Sequence, residues 1–160
     1  MSTSDNQAGP QSVADAVGMM RTGLVYLTSA DLHALGTGIQ GQVLRDLTQI
    51  SAQVSAVQGA VLAVFDAAGG PEEAGCATAA SWLYHHTQAT KGSAKAQSRW
   101  SRALQAHPAV AEAMSSGGLS VPYAELITGW TRKLPDQMQG PSDKILVEAA
   151  LGGAGCGNCS

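Results

Sequence analysis

The chain has 160 residues, enough for one domain with a buried core but too few for two full ones. Hydrophobic residues make up 44% of it and charged residues 13%, a balance that excludes a largely disordered protein. The net charge of −3, the polar start of the chain and the lack of an apolar run of roughly 18 residues predict a soluble, cytoplasmic protein with no membrane partner.

The first part of the chain predicts two helices of unequal length. Helix formers dominate and no segment alternates with the period of a strand, so we expect an all-α fold. A disordered N-terminus at residues 1–12 precedes a helix at residues 13–27, and a long helix begins near Ile39. Its apolar positions recur every 3.5 residues on average, over six intervals totalling 21 residues, which is the coiled-coil period. We name this row the apolar seam; it comprises Val43, Leu47, Ile50, Val54, Val57, Val61 and Val64.

Shorter helices are predicted after a break at Gly69, Gly70 and Pro71. Thr90 or Ser93 can cap one of them, and Pro108 suits the first turn of another. The pattern indicates a long amphipathic arm at residues 13–70, which buries its apolar seam against a compact unit at residues 71–151. The five helices expected in that unit span residues 77–87, 93–106, 108–115, 121–134 and 142–151.

Basic residues are concentrated in one stretch of this acidic chain. There is no Asp or Glu between Ala74 and Ala111, although four of the nine basic residues lie there. Their spacing of four, four and three residues places them within about 80° on one face of a helix. We name this set the basic stripe; it comprises Lys91, Lys95, Arg99 and Arg102.

The basic stripe has two interpretations. A purely cationic face on a helix-turn-helix-like element around residues 81–105 is typical of contact with DNA phosphates, with Gln97 and Ser98 as neighbouring hydrogen-bonding groups. The alternative is a solvated face without a partner. On either interpretation we expect the opposite face of the helix to be apolar, with Ala96, Trp100 and Leu104.

A series of short motifs resembles the domain of unknown function 222, also called the thirteen-E-twelve repeat family, from actinobacteria. The resemblance runs from about Met20 almost to the end of the chain and depends on the order and spacing of the motifs. They include Phe65-Asp66-Ala67-Ala68-Gly69-Gly70-Pro71, Ser81-Trp82-Leu83, Thr90-Lys91-Gly92-Ser93-Ala94, His107-Pro108-Ala109-Val110, Gly118-Leu119-Ser120, Leu134-Pro135 and Gly152-Gly153-Ala154.

The resemblance implies a helical region that stands in front of an HNH endonuclease module, in which histidines and an asparagine bind a metal and activate water. None of the four histidines here lies in a strand-turn-helix context with a partnering Asn, so we expect that module to be absent. We therefore predict a protein that is not an enzyme and has no cofactor and no metal site. The histidines are His33, His85, His86 and His107.

Two further features have competing interpretations. Trp82, Trp100 and Trp130 could stack on bases, but each is predicted on the apolar side of its helix, which favours core packing. Cys156 and Cys159 have the spacing of half a zinc site, without a second pair. The alternative is the hypothesis that the tail, residues 152–160, is a frameshift product: with GC-rich codons, restoring one C before the codon of Cys156 turns the last five residues into Leu-Arg-Gln-Leu-Gln, a plausible continuation of the preceding helix.

The sequence thus predicts a non-catalytic helical domain that binds the DNA backbone weakly through the basic stripe, without sequence preference. The competing prediction is a protein-interaction or dimerisation module in which the apolar seam pairs with a second copy and nucleic acid has no role.

Overall fold

The computed structural model of the protein describes residues 9–153, and this part of the chain contains helices and no strand. The expected all-α fold is confirmed. The predictions for residues 1–8, Cys156 and Cys159 lie outside the described residues. A short 3-10 helix at Leu32–Ala34 separates the first two α-helices, which are α1 (Val13–Ser29) and α2 (Thr37–Ala67). They are followed by α3 (Gly70–Glu73), α4 (Ala79–His86), α5 (Lys91–Ala106), α6 (Pro108–Ser115), α7 (Val121–Thr131) and α8 (Asp136–Gly153).

Hydroxyl side chains fix the starts of several helices. Ser12 Oγ accepts a hydrogen bond from the backbone N–H of Asp15 at 3.0 Å, and Thr90 Oγ1 accepts one from Ser93 at 3.2 Å. Each bond satisfies a backbone donor that the first turn of a helix leaves without a partner. Thr90, rather than Ser93, is therefore the cap of α5, and the helix begins at Lys91, two residues before the predicted start.

The largest error of the sequence prediction concerns α8. It begins at Asp136, six residues before the predicted start, and contains Pro141 in its interior. A proline is unusual at such a position, because it lacks the N–H that a helix interior needs. The short α3 was also missed, and α7 ends three residues earlier than predicted, at Thr131.

The described chain divides into two compact units, one up to Gln42 and one from Val43 onward. The first unit contains α1, the 3-10 helix and the first residues of α2. None of the residues of α1 or of the 3-10 helix is buried. The second unit contains the rest of α2 together with α3 to α8, and it holds the hydrophobic core.

The core of the second unit is built from α2, α5, α6, α7 and α8. Ala52 and Ala56 are the contribution of α2, and the largest fully buried apolar side chains are Met114, Leu119 and Val110. The remaining core residues are Leu104, Ala113, Ala124, Ile127 and Val147.

The buried face of α2 is a line of small residues, not the apolar seam. Ala52, Ala56 and Gly59 are buried, whereas Val57, Val61 and Val64 of the seam are 59%, 62% and 70% exposed. Small side chains let α5 approach the backbone of α2 closely: a Cβ added at Gly59 would lie 2.9 Å from Leu104 Cδ1. The prediction that α2 buries its seam is therefore wrong for its C-terminal half.

A window of 18 residues in α2 has a mean hydropathy of 1.4, so this helix is long and apolar enough to cross a membrane. The expectation that the chain contains no apolar run of this length is therefore wrong. Core helices of soluble proteins that are mostly buried satisfy the same criterion, but only 17% of this window is buried, and α2 contributes only Ala52 and Ala56 to the core.

Candidate functional site

All four members of the basic stripe lie on the exposed side of α5. The side chains of Lys91, Lys95, Arg99 and Arg102 are exposed, as the helical spacing predicts. The buried residues of the same helix are Ala94, Ser98, Ser101 and Leu104. Ala96 was expected on the buried face but is exposed, and Ser98 was expected beside the stripe but is 5% exposed.

Two hydrogen bonds attach α5 to α2 and thereby fix the direction of the stripe. Ser101 Oγ donates to the backbone carbonyl of Gly59 at 2.6 Å, and Trp100 Nε1 donates to Ser55 Oγ at 3.0 Å. Both cross between helices whose facing residues are small. The helix α5 therefore cannot rotate about its own axis without breaking these bonds, and the stripe stays on the exposed face.

Arg102 differs from the other three members of the stripe. Its Nη2 donates to Ser98 Oγ at 3.2 Å, and it lines a small depression together with the carboxylate-bearing Asp66 of α2. Although the sequence has no acidic residue between Ala74 and Ala111, the fold therefore places the acidic residue Asp66 near Arg102. Lys91, Lys95 and Arg99 remain as the part of the stripe best placed to contact an anion.

An aromatic side chain adjoins the N-terminal end of the stripe. Lys91 Nζ lies 5.4 Å from the ring centroid of Tyr84, a cation–π distance, and the His85 ring meets the same ring edge-on at 4.9 Å. Tyr84 keeps 39% of its surface exposed. Tyr84 has no local sequence signal that marks it as part of this site, because only the turn between α4 and α5 brings it beside Lys91.

The C-terminal end of the stripe opens into a groove between α5 and α7. It has a volume of about 660 Å³, and we name it the α5–α7 groove. Arg99 and Arg102 line it from α5, and Arg132 lines it from just beyond the end of α7. Glu125 is its only acidic lining residue among the described residues. No local pattern links Arg132 to Arg99 in the sequence, so this part of the site was missed.

His107 also lines the groove, and it is 3% exposed. Its Nδ1 is 2.7 Å from Oδ2 of Asp143, which is completely buried. This contact joins the corner between α5 and α6 to α8. Within residues 9–153 the other carboxylate oxygen, Asp143 Oδ1, has no hydrogen-bond partner.

The three tryptophans have different environments. Trp82 stacks on the His86 ring at 5.0 Å and packs against Phe65 at 4.7 Å, and Trp100 is half-buried against α2. Trp100 packs against the hydrophobic core, as expected, whereas Trp82 is half-buried against Phe65 and His86, outside that core. Trp130 is 56% exposed, so the same expectation is wrong for that residue.

Metal-ligating side chains are not grouped in the part of the chain from residue 9 to residue 153. This part contains no cluster of three or more His, Cys, Asp or Glu side chains that could hold a metal ion. His85 and His86 contact different partners: His85 contacts Tyr84, whereas His86 contacts Trp82. Cys76 is a free, buried thiol.

Comparison with known proteins identifies the family of the chain. A family model described as Domain of unknown function (DUF222) matches residues 41–146, which is 106 of the 160 residues. No curated protein and no solved structure matches the chain. The family match confirms the resemblance that the motifs indicated. Because it covers more than half of the chain, the protein belongs to the DUF222 family, whose description names no reaction.

Proposed function

We propose that the protein is a non-catalytic helical domain that binds the DNA backbone weakly and without sequence preference through the basic stripe. One observation carries this proposal: Lys91, Lys95 and Arg99 are exposed on one face of α5. Within residues 9–153 no carboxylate lies within ion-pair distance of any of them. A row of unpaired cations on a helix that is fixed to a core is suited to phosphate contacts, which position a protein without reading bases.

The size of the cationic surface sets the expected affinity. If Lys91, Lys95 and Arg99 each neutralise one phosphate of a duplex, log K falls with log salt at a slope of about −2.7. Including Arg102 would give a slope of about −3.6. Either value describes weak binding that weakens further as salt rises.

The test is fluorescence anisotropy with two labelled duplexes of unrelated sequence, measured over a series of salt concentrations. Replacing Lys95 and Arg99 with Ala should weaken binding to both duplexes equally and flatten the slope by about 2. The matched control is Lys133→Ala with Lys144→Ala, which removes two exposed cations outside the stripe. Equal losses in the two double variants would contradict the proposal, because general charge would then explain the binding.

We infer a second candidate function, self-association through the apolar seam, from the exposure of that seam. Val57, Val61 and Val64 leave more than half of their surface in water, and Ile50 is 44% exposed. These residues recur along one helix face in steps of seven, four and three, and exposed rows of this kind mark interaction surfaces. A second copy of α2 offers a partner of the same period.

Sedimentation equilibrium at micromolar concentration tests this candidate. The wild type should be dimeric and Val61→Glu monomeric, because the new carboxylate would be buried without a partner in the interface. Gln58→Glu, at another exposed position of α2 that is not part of the seam, is the control and should leave the dimer intact. A monomeric wild type would exclude self-association through the seam.

A further inference from the structure

The basic stripe is continuous with two features that a duplex backbone does not need. One is the exposed ring of Tyr84 beside Lys91, and the other is the α5–α7 groove that Arg99 lines. Lys91 and Arg99 are separated by about 12 Å along the axis of α5, at 1.5 Å per residue. The stripe thus has an aromatic side chain at its start and a concave cationic site toward its end.

The walls of the groove leave space for a ligand. Ala96, Ala103 and Gly129 carry small or no side chains, and an added Cβ at Gly129 would have no neighbour within 4 Å. A volume of about 660 Å³ is in the range of sites that hold ligands of a few hundred daltons. A single unpaired nucleotide fits such a space, whereas the convex backbone of a duplex does not enter a groove between two helices.

The charges of the groove favour an anionic ligand. Arg99, Arg102 and Arg132 contribute three guanidinium groups, and Glu125 contributes one carboxylate. In the described part of the chain, neither Arg99 nor Arg132 forms an ion pair with an acidic side chain. Two guanidinium groups from different helices can hold one phosphate from two directions, which a single helix face cannot do.

We propose that the basic stripe, Tyr84 and the α5–α7 groove together form a binding site for an unpaired nucleic-acid strand. One base stacks on Tyr84, the strand follows Lys91 and Lys95, and Arg99 and Arg132 bind a phosphate at the groove. Positively charged paths with aromatic stacking platforms are the general solution for single strands, since every base has a face that can stack. The inference rests on the proposed function, because it uses the same stripe and assigns its strand preference.

The test compares a labelled 20-nucleotide oligothymidine with a 20-base-pair duplex at equal salt, by fluorescence anisotropy on the full chain. The wild type should bind the single strand at least tenfold more tightly. Tyr84→Ala should weaken single-strand binding at least fivefold, and Tyr123→Ala, at another exposed tyrosine outside the groove, should change it less than twofold.

A second pair of variants tests the groove. Arg132→Ala should weaken single-strand binding and flatten its salt slope by about 0.7, the single-strand value for one phosphate. Lys133→Ala removes the same charge from the adjacent exposed residue, which does not line the groove, and should leave the slope unchanged. Glu125→Gln should tighten binding, because it removes the carboxylate that opposes a phosphate there. Circular dichroism melting confirms that each variant is folded.

The outcomes separate this inference from the proposed function. If duplex and single strand bind equally, and only the Lys95 and Arg99 double variant is impaired, the strand preference is wrong and the proposed function stands. If Arg132→Ala and Lys133→Ala behave alike, the groove has no role. If the wild type binds neither nucleic acid, both proposals are wrong.

Discussion

His107 Nδ1 lies 2.7 Å from Asp143 Oδ2, and both side chains are buried. The two residues are separated by 36 positions in the sequence, and their contact ties the corner between α5 and α6 to α8. Thr131 Oγ1, at the end of α7, is 3.5 Å from the same imidazole nitrogen. Three parts of the compact unit therefore meet at one polar cluster inside an apolar core.

Asp143→Ala should destabilise the protein strongly. The variant leaves the buried His107 N–H without its acceptor, and a buried donor without a partner costs about 1 to 3 kcal/mol. Urea unfolding followed by circular dichroism measures the loss. Adding His107→Leu to Asp143→Leu should cost less than the sum of the single changes, because neither partner is then left unpaired. If the losses in unfolding free energy of the two single variants simply add up in the double variant, the two side chains are not coupled.

Gly70→Ala should also destabilise the protein, for a steric reason. A Cβ at Gly70 would collide with the ring of Phe65, which in turn packs against Trp82. Overpacking of this kind typically costs about 1 to 3 kcal/mol. Gly129→Ala in α7 is the control: its Cβ would meet nothing within 4 Å, so the gain in helix propensity should stabilise by about 0.5 to 1 kcal/mol. Equal changes in melting temperature for the two variants would contradict the predicted collision at Gly70.

Local signals in the sequence predicted most of the helices, because caps and breakers act within a few residues. Pro108 and Ser115 bound α6 at the predicted positions, and Thr90 caps α5. The tertiary face of α2 could not be predicted in this way. Periodicity identifies the larger side chains of the apolar seam, whereas the core uses Ala52, Ala56 and Gly59, whose advantage is close approach to another helix.

The candidate site was predictable only where it lies on a single helix. The spacing of Lys91, Lys95 and Arg99 places them on one face whatever surrounds α5. Arg132 and Asp66 approach the stripe from other helices, and their positions depend on how α2 and α7 pack on α5. The basic stripe could therefore be predicted from local spacing, whereas the groove at its end and the position of Asp66 near Arg102 could not.

Trp100 and Trp130 should respond differently to truncation. Trp100→Ala removes a half-buried ring and its hydrogen bond to Ser55, and we expect a loss of about 3 kcal/mol, at the lower end of values for buried tryptophans. Trp130→Ala removes a ring that is 56% exposed and should cost less than about 1 kcal/mol. Urea unfolding measures the free energy that each variant loses. Equal losses for the two variants would show that Trp130 is covered in solution.

The purified protein should not cleave supercoiled plasmid DNA when magnesium, manganese, nickel or zinc is added. Metal-dependent hydrolysis needs ligands that hold the ion beside an activated water, and residues 9–153 contain no such group of side chains. Agarose electrophoresis of the plasmid after incubation measures nicking. Cleavage that persists after repurification and disappears with EDTA would mean that the protein is a nuclease.

Ala56 and Val57 are adjacent in α2 and should give opposite results, because Ala56 is 5% exposed and Val57 is 59% exposed. Ala56→Leu adds volume where α2 meets the core and should destabilise by about 1 to 3 kcal/mol. Val57→Ala removes two methyl groups from a solvated side chain, and its cost should stay within about 0.5 kcal/mol.

Urea unfolding is measured at submicromolar protein concentration, so that self-association through the apolar seam adds little to stability. If the seam is instead buried within the same chain, Val57→Ala should cost about 1 kcal/mol or more, as other large-to-small changes in cores do. A large loss from Val57→Ala together with a neutral Ala56→Leu would therefore reverse the assignment of the two faces of α2.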